Sequence, residues 1–133
     1  MEPHERDLIT LRLAPDGRYA RVARTVVASC ASLEGFVADD LGDIRLLVDT
    51  AFHTLTDVGR GDVDINVESS VHELAIEMSA RRDGDRGWSD PEVRLLDTVA
   101  SVVGRTRTFA VRDERLIVRV VVRPRSDGEI DVR

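Results

Sequence analysis

The chain has 133 residues, 42% hydrophobic, 4% aromatic and 33% charged, with a formal net charge of −6. That length makes a single domain able to bury roughly two-thirds of its unfolded surface, around a core of Val, Leu, Ile and Ala rather than rings. The acidic balance argues against nucleic acid as the partner, because neutralising phosphate needs a basic face, and the single cysteine, Cys30, excludes an internal disulfide.

No apolar run approaches the ~20 residues that span a bilayer. The start, MEPHERD, lacks the basic lead and apolar stretch of a signal peptide. The expectation is a cytoplasmic protein with no membrane or nucleic-acid partner, in a compartment that keeps thiols reduced.

After a polar lead over residues 1–6, Ile9, Leu11 and Leu13 alternate with Thr10 and Arg12, which predicts a half-buried strand over 7–14. Pro15-Asp16-Gly17 is turn chemistry. A helix is expected over 18–33, with Tyr19, Val22, Ala23, Val26, Cys30 and Leu33 on one side and Arg21, Arg24 and Ser32 away from it. Gly35 ends it.

Asp39 or Asp40 then caps the helix that organises the chain, Asp43 to Gly59. Its stripe is Leu41, Ile44, Val48, Ala51, Phe52, Leu55 and Val58. Thr50 and Thr54, one turn apart, meet on one face beside it.

Val63, Ile65 and Val67, then Leu74, Ile76 and Met78, alternate with polar residues and form a hairpin turning at Ser69-Ser70. Residues 81–90 (RRDGDRGWSD) read as a charged surface loop. Ser89 or Asp90 caps a third helix with Pro91 at its first position and a stripe of Val93, Leu96, Val99, Ala100 and Val103, ended by Gly104. Strands over 107–112 and 116–123 flank the turn Asp113-Glu114, and 124–133 is a frayed tail.

One domain over 7–123 follows: an α/β (α+β) two-layer sandwich, its sheet mixed but mostly antiparallel, with three helices on one face.

The chemistry-bearing residues are few. Asp49, His53 and Asp57 stand at four-residue spacing and are best read as a solvated helix face with i, i+4 pairing. His4 and His72 add no ligand pattern, and Asp83-Gly84-Asp85 lacks the acceptors of a calcium loop. No metal is expected. Cys30 lies on an apolar stripe and reads as packing rather than redox chemistry. Trp88 is either a plug folded back over a vacated ligand pocket or an interface anchor.

The element order, DIRLLVDTA on the second helix and ARTVV on the first (Ala23 to Val27) together resemble the histidine-kinase-like ATPase fold. More narrowly, the chain is similar to bacterial anti-sigma factors of the serine-kinase type, over about residues 7–123. In that family the second helix carries a glutamate that activates the attacking hydroxyl and, four residues on, an asparagine that holds Mg²⁺. Those positions fall here on Thr50 and Thr54, which offer neither a base near neutral pH nor an amide oxygen. The aspartate that reads adenine falls on Ala80, the last residue of the strand LAIEMSA. The first glycine beyond it falls on Arg82, and Gly84 stands for the second.

The resemblance therefore implies an anti-sigma factor, a pseudokinase of a stress-response switch, with no catalytic residue. No cofactor is expected beyond weak ATP or ADP binding. Its partners would be an RNA polymerase sigma factor and an anti-anti-sigma antagonist, and its assembly a homodimer. Arg24 falls where the family places a first-helix arginine that contacts both partners, with Arg21 beside it. The alternatives are an active serine kinase that phosphorylates its antagonist, and a non-catalytic regulatory module of the same fold.

Overall fold

A computed structural model describes residues 7–124. Five strands and three helices appear in the order β1 (Asp7–Leu13), α1 (Ala20–Leu33), α2 (Ala38–Val58), β2 (Gly59–Ser70), β3 (Glu73–Arg82), α3 (Arg94–Val103), β4 (Thr106–Arg112) and β5 (Arg115–Val122). One-turn 3₁₀ helices, Gly17–Tyr19 and Pro91–Val93, lead into α1 and α3. The lead over 1–6, with His4, lies outside the described residues, as does the expected tail beyond Pro124.

The sheet order is β1-β2-β3-β5-β4, and every neighbouring pair is antiparallel. The expected mixed sheet is thus corrected. The connection through α3 carries the chain to β4 on the far edge, and a two-residue turn returns β5 into the gap beside β3, opposite in direction to both neighbours.

Alternation decides which face is dry. Val63, Ile65 and Val67 of β2, Leu74, Ile76, Met78 and Ala80 of β3, and Leu116, Val118, Val120 and Val122 of β5 are all buried. They meet Ile44, Leu47, Val48, Ala51, Phe52, Leu55 and Val58 of α2, with Leu96, Val99 and Ala100 of α3 alongside. The opposite face carries cross-strand polar pairs: Thr10 donates to Asn66 at 2.9 Å, and Arg12 pairs with Asp64, Arg119 with Glu68 and Arg123 with Glu73.

Three local expectations change. The turn of the β2–β3 hairpin is Val71-His72, not Ser69-Ser70, which are paired with Leu74 and Glu73 inside the ladder. Asp39 and Asp40 stand inside the first turn of α2, where the Asp40 carboxylate accepts from the Val37 N–H at 3.3 Å and so reaches back to the helix start.

On α1 the buried set is Ala20, Ala23, Val27, Ala28, Cys30 and Ala31, whereas Val22 and Leu33, with Tyr19 in the 3₁₀ turn before it, are 39%, 84% and 37% exposed. Close approach of α1 to α2 selects its small residues and rotates the larger ones outward.

α2 passes into β2 with no loop between them. A Cβ at Gly59 would lie 2.7 Å from the Leu55 carbonyl oxygen and 2.8 Å from that of Arg81. Its φ of −108° is open to any residue, so space rather than conformation requires glycine.

Candidate functional site

The candidate partner surface begins at the start of α1. Asp16 accepts the Arg18 N–H at 2.9 Å and pairs with the Arg18 guanidinium at 3.0 Å, which holds its carboxyl below the usual range. The chain then places Arg18, Arg21 and Arg24 at three-residue steps. With Gly17 they border an open depression of about 390 Å³.

Arg21 is exposed, but Arg24 is half-buried and ion-pairs with Asp49 of α2. His53 lies one turn further along α2, its Nε2 3.5 Å from the same carboxylate. The Asp49–His53 pairing expected from spacing is therefore present, with Arg24 as its third member. Asp57 is exposed at the end of α2 and outside this group. Among the described residues no set of three His, Cys, Asp or Glu side chains is placed to hold a metal ion.

The positions at which the resemblance would place a nucleotide site are closed. Thr50 and Thr54 are both more than nine-tenths buried, and each hydroxyl donates at 2.8 Å to a carbonyl of its own helix, that of Leu46 and that of Thr50. Those bonds occupy the donors that a phosphate would require. Ala80 is fully buried, and it would lie 3.0 Å from a Cβ placed at Gly59. Gly84 is exposed at the tip of the following loop, with φ +61°. Of the four, only Gly84 reaches the surface.

Arg86 is the residue that reading the sequence as a loop overlooked. Its guanidinium pairs with Asp90 at 2.9 Å and Glu92 at 2.9 Å, and donates at 2.8 Å to the Asp57 carbonyl at the C-terminal end of α2. A cation there complements the helix dipole, and one side chain ties the loop to both α2 and the start of α3. The signal was the four-residue spacing of Arg86 and Asp90 ahead of Pro91.

Trp88 folds back on the domain. It packs edge-on against Phe109, ring centroids 4.9 Å apart, and its Nε1–H donates to the Ala110 carbonyl at 2.8 Å. It closes the core between the start of α3 and β4, not a nucleotide cavity. Cys30 is buried, and desolvation pushes its thiol pKa up.

Among the described residues no helix is long and apolar enough to cross a membrane. Set against known protein families and against curated proteins, the chain matches none of either.

Proposed function

We propose that this protein is a cytoplasmic anti-sigma factor of the histidine-kinase-like ATPase fold that binds an RNA polymerase sigma factor without kinase activity. The observation that carries the reading is the pair Thr50 and Thr54. At the positions of base and Mg²⁺ ligand stand two buried hydroxyls already bonded within α2. The α+β sandwich with all three helices on one face is compatible with the fold, and the loss of a carboxylate at Ala80 agrees with an abandoned adenine contact.

Binding then replaces chemistry. Arg24 and Arg21 supply guanidiniums to acidic residues of the sigma factor, and an anti-anti-sigma protein competes for the same arginines. With no phosphorylation step, occupancy follows relative affinities and amounts. The exposed apolar side chains of Tyr19 in the first 3₁₀ turn, Val22 and Leu33 on α1 and Ile9 on β1 support a homodimer through the first helix and first strand.

The test has two arms. Sigma factors from the source genome, purified one by one, are mixed with the protein and then challenged with core polymerase in a promoter-directed transcription assay. The expected result is stoichiometric inhibition of one sigma factor. The second arm offers labelled ATP, Mg²⁺ and an anti-anti-sigma protein, and follows the melting temperature at millimolar nucleotide. No transfer is expected, and no rise with Mg²⁺ and ATP beyond that given by inorganic phosphate, because a nucleotide held against α2 must stabilise the native state further. Mg²⁺-dependent phosphorylation of a serine would overturn the reading.

A further inference from the structure

The open face of the sheet holds an alignment that the proposed function does not use. Strand register sets Arg60 opposite Arg81, Arg81 opposite Arg115, and Arg115 opposite Arg112, so four guanidinium side chains from four adjacent strands form one cross-strand row. Directly opposed residues lie about 4.5–5.5 Å apart at Cα, close enough for like charges to repel. All 19 basic residues of the chain are arginines, so each member of the row is a rigid fork of donors and not a point charge.

The carboxylates nearby do not neutralise the row. Asp64 is shared by Arg12, at 2.7 Å, and Arg115, at 3.2 Å, and Arg115 also donates to the Ser79 hydroxyl at 3.1 Å. Among the described residues neither Arg60 nor Arg81 has an ion-pair partner. Arg12, Arg60, Arg81 and Arg115 line a depression of about 300 Å³ together with Gly61, Asp62 and Asp64. Four guanidiniums thus face two carboxylates, a surplus of two positive charges.

The backbone bulges beside the depression. The β2–β3 register breaks between Arg60 and Asp64, and β1 pairs β2 only as far as Val63, which leaves residues 61 and 62 outside both ladders. Gly61, at φ +74°, makes that bulge possible.

From this arrangement we infer that the depression at the Arg60–Arg81 end of the sheet binds a phosphoryl oxyanion, either free phosphate or a phosphate monoester. A tetrahedral group with three or four acceptor oxygens accepts from guanidiniums on several sides, whereas a carboxylate matches one fork at a time. The charge of about −1.5 to −2 on a monoester near neutral pH also matches the surplus of two. The site lies on the face opposite the helices and is independent of the sigma-factor reading.

The full chain is titrated with inorganic phosphate at constant ionic strength, following the arginine Nε–H resonances and the melting temperature. Saturable shifts and a phosphate-dependent rise in melting temperature are expected. Arg60→Gln with Arg81→Gln should weaken binding about tenfold or more, since each lost bond is charge-assisted, and should abolish the rise. The double variant removes facing like charges, so it should melt no lower than the parent without phosphate. Arg81→Lys, which keeps the charge but loses the fork, gives the same test should that variant misfold. Asp62→Asn should tighten binding, and Arg45→Gln on α2 should leave it unchanged.

Glycerol phosphate and phosphoserine identify the source. Tighter binding than inorganic phosphate puts the group on a larger molecule, and equal binding means free phosphate. Non-saturable shifts, unchanged affinity in both arginine variants, or displacement of phosphate by hexaglutamate at equal concentration would each overturn the inference.

Discussion

Arg24 of α1 and Asp49 of α2 form an ion pair across the interface between the first two helices, each side chain about one-third exposed at 33% and 34%. A guanidinium so placed borders the same depression as Arg21 and Arg18, and an acidic partner there competes with Asp49 for it. That competition separates a binding role from a purely structural one.

Arg24→Ala should reduce stability by no more than about 1 kcal/mol, because a partly exposed pair is screened by solvent. The same change should weaken sigma-factor binding by about tenfold or more, since it removes a charge-assisted bond. Asp49→Asn should leave binding equal or tighter by releasing Arg24 from its internal partner. Titration calorimetry of the three proteins against the cognate sigma factor checks this. Equal losses from both substitutions would mean that the pair only braces the helices.

A carboxylate placed at Ala80, where the proposed reading puts an adenine contact, should not create a site. Ala80 is fully enclosed against the Gly59 backbone, so Ala80→Asp buries a charge without a partner and crowds that strand. The expected cost is about 3 kcal/mol or more near neutral pH. Burial raises the pKa of the new carboxyl in the folded state, so the variant should be least unstable in mild acid and lose stability as pH rises. Urea denaturation at several pH values provides the measurement.

Trp88 offers a graded test of the loop anchor. Trp88→Phe keeps the ring against Phe109 and loses only the bond to the Ala110 carbonyl, for a cost of about 1 kcal/mol. Trp88→Ala removes the packing as well and should cost about 3 kcal/mol. Circular dichroism should follow the unfolding, because Trp88 is the only tryptophan in the chain and each variant loses its fluorescence.

Cys30 gives a pH signature. Burial raises its thiol pKa in the folded state, so the neutral thiol's contribution is complete below the unfolded value of about 8.5 and falls away as pH climbs through the folded one. The parent should therefore lose stability above about pH 8.5 more steeply than Cys30→Ala. Native protein should resist iodoacetamide until it is unfolded. Rapid labelling of the native state would place the thiol at the surface.

Much of the architecture was legible because it is written at short range. Alternation in Val63–Val67, Leu74–Met78 and Leu116–Val122 marks the dry face of three strands, and the stripe from Val93 to Ala100 marks the buried side of α3. Thr50 and Thr54, one turn apart, had to share a face of α2, and they do so inside the core with their hydroxyls turned onto their own helix.

The rest depended on which surfaces meet. On α1 two apolar stripes compete, and hydropathy favours the one with Val22 and Leu33. Close packing on α2 chooses the small side chains of Ala20, Ala23 and Ala31, a preference that depends on the interhelical distance and so is absent from local pattern. Arg24 and Asp49 are 25 positions apart, and Arg60, Arg81, Arg112 and Arg115 come from four strands. Outside α1, periodicity along each segment assigned its residues to a face. Only strand register and helix docking decided which of those residues became neighbours, because contacts between distant segments form through packing that no single segment encodes.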